Sequence, residues 1–197
     1  MAMQPKYFFT DDFETASPKD GWSYTSISNN TFSPLSGTRS WRINSTNSAA
    51  NLWFPPQDEV WFFCKFYLVG SWLFQLHPDS GIPNNNAAGA VFAVAQWTGT
   101  QLRVVGGGFD EFPVANIAGS VSYCWAQYKR GSGSNAIYRL WVSSTTTRPA
   151  TPLFSRTNAT SMTPAVRWWT SAGGSGSLNN QMDNFRLSST EIGNDPL

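Results

Sequence analysis

The chain has a single histidine, His77, so any imidazole chemistry must run through it. That count excludes a histidine-based metal site. A Ser-His-Asp triad would also depend on His77, and no G-x-S-x-G elbow is present to serve it. His77 opens the run His77-Pro78-Asp79-Ser80-Gly81, whose residue types favour a turn, and starting that turn is its expected role. Cys64 and Cys124, the only cysteines, have neither C-x-x-C nor metal-ligand spacing. They are expected as buried free thiols, with a disulfide open to them if their strands adjoin.

Acid–base work on a glycosidic bond needs two carboxyls flanking it. Glu14, Glu59, Glu111 and Glu191 have no such partners at alternating spacing. Asp110-Glu111 follows three glycines and reads as a solvated loop. Asp12, Glu14 and Asp183 would offer hard oxygen ligands to a calcium ion if the first and last strands pair. Capping of nearby backbone amides is the expectation set above it, so no cofactor is expected.

These groups must be carried by strands. Period-two alternation dominates, and no amphipathic helix of useful length is evident. In Val60–Leu68, residues Val60, Phe62, Cys64, Phe66 and Leu68 point one way, and Trp61, Phe63, Lys65 and Tyr67 the other. Further strands are expected at 40–44, 51–54, 72–76, 89–97, 101–105, 123–130, 136–142, 166–170 and 181–187. Turn chemistry separates them, as at Thr98-Gly99, which predicts a tight hairpin. With no repeat period and no long linker, residues 1–197 are expected to form a single all-β domain, a two-sheet antiparallel sandwich.

Composition agrees. Charged residues are 13% of the chain, about half the usual share, while aromatics reach 15%, which argues against disorder. The net charge of +1 comes without a basic run, so no nucleic-acid partner is expected. No signal peptide is visible at the start. The most apolar stretch, Val60 to Phe74, is interrupted by Lys65 and Gly70 and too short to span a bilayer.

Several phrases, in order, resemble the concanavalin A-like and laminin-G-like jelly rolls. Phe13-Glu14 followed by Gly21-Trp22 looks like the opening strand, and Ser36-Gly37-Thr38-Arg39-Ser40-Trp41 like the second. Val60 to Tyr67 is similar to the central strand. Tyr123 to Tyr128 with Ile137 to Val142 resembles a later pair, and Met182-Asp183-Asn184-Phe185-Arg186-Leu187-Ser188 the closing strand. The resemblance implies a jelly roll with its first and last strands side by side. It leaves function open, because the fold hosts lectins, glycosidases, lyases and viral surface proteins. The E-x-D-x-E strand of its glycosidases is missing. Gln75-Leu76-His77 resembles the Q-I/V-H phrase of alginate-lyase-like enzymes, which would make Gln75, His77 and Tyr128 the catalytic set. The accompanying tyrosine- and arginine-rich strands have no good counterparts.

The other strand faces are expected to bind a glycan or protein partner through Trp61, Phe63, Lys65, Tyr67, Trp125, Arg139 and Trp141. Aromatic plates beside hydrogen-bonding groups suit sugar rings and protein anchors alike. The competing expectation is a second core layer under folded-over loops. The function expected first is a non-enzymatic structural or binding module on a virion surface, such as a phage capsid decoration or tail-associated protein. It would pack as a homo-oligomer and have no membrane partner. A secreted lectin-like module is the second expectation, and an alginate-lyase-like polysaccharide lyase the third.

Overall fold

The computed structural model describes residues 7–16, 19–31, 34–43, 48–69, 71–77, 93–97, 102–106, 109–111, 119–131, 135–158, 165–173, 180–194 and 196. Within them lie fifteen strands and no helix. These are β1 (Tyr7–Asp11), β2 (Trp22–Thr25), β3 (Ile27–Asn30), β4 (Ser40–Ile43), β5 (Ala49–Gln57), β6 (Glu59–Tyr67), β7 (Ser71–His77) and β8 (Ala93–Trp97). They continue as β9 (Leu102–Gly106), β10 (Phe109–Glu111), β11 (Val121–Lys129), β12 (Ala136–Ser143), β13 (Phe154–Asn158), β14 (Ala165–Gly173) and β15 (Asn180–Ser188).

Two antiparallel sheets result. The first runs β13-β12-β11-β6-β15-β4-β3, with β1 also paired to β15. The second runs β10-β9-β8-β7-β14-β5-β2. The fold class is therefore all-β, as the alternation predicts. β15 is the closing strand, and its outer edge is shared by β4 along 180–182 and β1 along 185–188. The first and last strands do lie side by side.

The main core fills the space between the sheets. From the first sheet come Val60, Phe62, Cys64 and Phe66; from the second come Ala50, Leu52, Phe74, Leu76 and Val104. Phe62 meets Phe74 with ring centroids 4.8 Å apart, one of the contacts that joins the two layers. Alternation is the cause: every second residue of β6 faces inward, and β-branched and aromatic side chains pack well on a pleated surface. Cys64 and Cys124 stand directly opposite each other on β6 and β11. Both are buried free thiols, as expected. Burial pushes both thiols up from their ordinary range.

One sequence expectation needs correction, and two others fall largely outside the described residues. His77 is the last residue of β7, and residues 78–81 of the turn it is expected to open lie outside the described set. Asp110 and Glu111 belong to β10, paired with β9, because the segment completes the sheet edge beyond the glycines. The residues of the expected Thr98-Gly99 hairpin lie outside the described set, while β8 and β9 on either side pair antiparallel. Strands β2, β3 and β13 carry weaker alternation than their neighbours and were not expected.

Candidate functional site

The outward face of the first sheet carries the aromatic set singled out in the sequence. Register aligns it in rows. Trp61 stands opposite Gln127, Gln127 opposite Arg139, and Arg139 opposite Ser155. In the next row Phe63 faces Trp125, and Trp125 faces Trp141. This face is covered. Trp61, Phe63, Trp125 and Trp141 form a second buried cluster with Ile192. The Trp125 indole donates to the Gly193 carbonyl at 3.2 Å, tying the C-terminal segment down over the sheet. The Arg148 guanidinium lies over both Trp61 and Trp141, 5.2 and 4.9 Å from the ring centroids. Arg148 is held in turn by the Ile192 carbonyl at 2.9 Å and by Glu191.

The seven expected binding residues therefore do not form one open platform. Phe63 and Trp125 are fully buried. Lys65 is buried, donates to the Leu35 carbonyl and faces the Tyr123 ring. Tyr67 is half-buried at the far end of β6, about 20 Å along the strand from Trp61 at the usual rise per residue. Only Trp61, Arg139 and Trp141 meet, at a cleft of about 500 Å³ that Glu59, Gln127, Arg148, Ser155 and Glu191 also line. Glu59 accepts from Trp61 Nε1 at 2.7 Å and Gln127 Nε2 at 2.9 Å, and pairs with Lys129 at 3.3 Å. Burial pushes the Glu59 carboxyl up, but these donors together hold it below its ordinary value. Glu59, Arg148 and Glu191 were not expected at this site because only the folded chain brings them together, whereas Gln127 shares the outward alternation of Trp125 on β11.

The second sheet presents a different outward face. Ala50 and Leu52 of β5 enter the core, so Asn51 and Trp53 turn from it; Trp53 is 42% exposed. The Asn51 amide oxygen is buried without a hydrogen-bond partner. On β7 the same alternation sends Phe74 and Leu76 into the core and leaves Gln75 in the outward register. One row across four strands runs Ser23, Asn51, Trp169, Gln75. The adjacent row runs Trp53, Arg167, His77. At the usual strand spacing the longer row measures about 14 Å. Asn51 and Trp53 had a sequence signal, since both occupy alternate positions of an expected strand. Arg167 and Trp169 had one too.

The proposed lyase set is not assembled as written. Gln75 and the His77 position share β7, but Tyr128 is fully buried in the main core from the other sheet. Burial also pushes its phenol well up. The three calcium candidates are each taken up by another partner. Asp12 pairs with Arg186 at 2.5 Å. Glu14 accepts from the Thr38 amide at 2.9 Å and hydroxyl at 2.6 Å, which lower its pKa. Asp183 accepts from Ser36 Oγ at 2.5 Å and the Asn184 amide at 2.7 Å. Among the described residues, no group of three or more His, Cys, Asp or Glu side chains is placed to hold a metal ion.

No known family profile matches the chain, and no curated protein matches it. Solved structures do. An endo-β-1,4-glucuronan lyase from the fungus Trichoderma reesei superposes with a TM-score of 0.63 at 12% identity, covering 97% of this chain and 99% of that one. The cellulose-induced protein Cip1 gives 0.67 at 14% identity over 94% and 99%. The Ca2+-bound exoplasmic/lumenal domain of VIP36 gives 0.62 at 9% identity over 94% and 91%. The fold is the concanavalin A-like jelly roll. These likenesses establish architecture; function rests on the faces just described.

Proposed function

We propose that this chain is a carbohydrate-binding β-sandwich that receives a polysaccharide across the outward face of its second sheet. The observation that carries this reading is the exposed Trp53 beside Asn51, whose buried amide oxygen has no partner. An indole stacks on the C–H face of a sugar ring, and a hydroxyl of the same sugar can donate to the waiting amide oxygen. The glucuronan lyase and VIP36 likenesses support it at the level of fold. Affinity electrophoresis through gels containing glucuronan, alginate or mannan tests it. Retarded migration is expected in at least one gel, with Trp53→Ala weakening binding about tenfold from lost stacking and burial. Unchanged migration of the wild type in all three, or undiminished binding by Trp53→Ala, refutes it.

A second reading rests on a specific juxtaposition. Gln75 and His77 lie on one strand, and Arg167 stands beside His77 in register. Uronate elimination needs a group that neutralises the carboxylate and a base near neutrality, roles open to Gln75 or Arg167 and to His77. Unsaturated-uronate absorbance that disappears in His77→Ala is the required signature. The virion-surface role, with its homo-oligomer, and the secreted lectin-like alternative differ in where the protein acts. Light scattering and particle fractionation test the first, and a monodisperse monomer refutes the oligomer.

A further inference from the structure

The cleft on the first sheet is independent of the polysaccharide face, because it opens on the opposite side of the sandwich. Its charges are unevenly matched. Glu59 is paired with Lys129, and Glu191 with Arg148. Arg139 has only the Gln127 amide oxygen, at 3.3 Å, and no carboxylate pairs with it among the described residues. Two residues along the same strand face, Trp141 is 4% exposed and its indole Nε1 is buried without a hydrogen-bond partner. A buried donor left unpaired is costly, and an acceptor that reached it would recover that cost.

We propose that this cleft is a second binding site, for a small ligand with one carboxylate and several hydroxyl groups, of the hexuronate class. The ligand carboxylate accepts from the Arg139 guanidinium and the Trp141 indole N–H. Its hydroxyls donate to Glu59 and Glu191 on the rim, and Ser155 completes the polar edge. A singly charged ligand matches one unpaired guanidinium, whereas a phosphate dianion would be opposed by the two rim carboxylates. The cleft volume, about 500 Å³, is that of a site for a small molecule. Arg148 is stacked over the face of the Trp141 ring, whereas the buried Nε1–H points along the ring plane, so the atoms at the ring edge must yield for the ligand to reach it. Binding should therefore register at the indoles.

The test is titration of the 15N-labelled full chain with D-glucuronate, D-glucose and inorganic phosphate, following the indole N–H resonances. D-glucuronate should give a saturable shift of the Trp141 signal, which is assigned by its loss in Trp141→Phe. Glucose and phosphate should each bind at least about tenfold more weakly, and Arg139→Gln should weaken glucuronate by about tenfold, the scale of one charge-assisted hydrogen bond. Equal binding of glucose, tighter binding of phosphate, no effect of Arg139→Gln, or no saturable shift at all would each overturn the proposal. Trp53→Ala should leave glucuronate binding intact, so failure of the polysaccharide face and failure of this cleft are separately visible.

Discussion

Replacing Asp183 by asparagine should remove a pH dependence that this one carboxyl imposes on the whole fold. Asp183 has no exposed surface, on the closing strand, opposite Lys65. Burial raises its pKa, while hydrogen bonds from Ser36 and the Asn184 amide and the Lys65 charge pull it back; the net result is about 6, against an ordinary value of 3.8. The Lys65 charge counts for less than either of these hydrogen bonds. Because the folded pKa lies above the unfolded one, the folded state binds the proton more tightly. The stabilisation is full below the unfolded value and is lost as pH rises through about 6. The difference between 3.8 and about 6 corresponds to at most about 3 kcal/mol. Glu14 and Glu59 have lowered pKa values and act with the opposite sign at more acid pH. They are common to both proteins and cancel in the difference.

Urea unfolding followed by tryptophan fluorescence, at intervals from about pH 4 to about pH 7, gives that difference directly. Wild-type stability minus that of Asp183→Asn should fall by up to about 3 kcal/mol across the window. Any constant offset from the changed hydrogen bonding to Ser36 is immaterial. A difference that stays flat, or that rises with pH, would refute the reasoning.

Two further outcomes follow from the packing. Gly37 has φ of +55°, and a Cβ there would lie 2.0 Å from Glu14 Oε1, so Gly37→Ala should cost about 1–2 kcal/mol from left-handed strain and displacement of Glu14 from Thr38; an unchanged melting temperature would sink this. Cys64 and Cys124 are fully buried with raised pKa values, so a thiol reagent should label neither in native buffer and both in denaturant. Rapid native labelling would contradict the burial.

Alternation in the sequence determined the strand faces, because the side-chain period of a strand is two whatever surrounds it. Val60, Phe62, Cys64 and Phe66 on one side of β6, and Trp61, Phe63 and Lys65 on the other, divide in the structure as they do on paper. The pairing of first and last strands was also legible, through the family-like phrases at the two ends. What covers each face was not. Arg148 reaches Trp61 and Trp141 from a separate loop, and Ile192 and Gly193 close over Trp125 from the C-terminal segment. No local pattern encodes such contacts, so an aromatic row suited to sugars became a second core layer with one cleft at its end. The same limit governed the carboxylates and Tyr128. Sequence order brought Asp12, Glu14 and Asp183 to neighbouring parts of the fold, but Arg186, Thr38 and Ser36 each claimed one. Tyr128 and Gln75 could be assigned to strands, but only tertiary packing decided that they belong to different sheets and that both side chains are buried. Periodicity is a property of the backbone and is written locally. Burial is a property of whatever arrives from elsewhere in the chain.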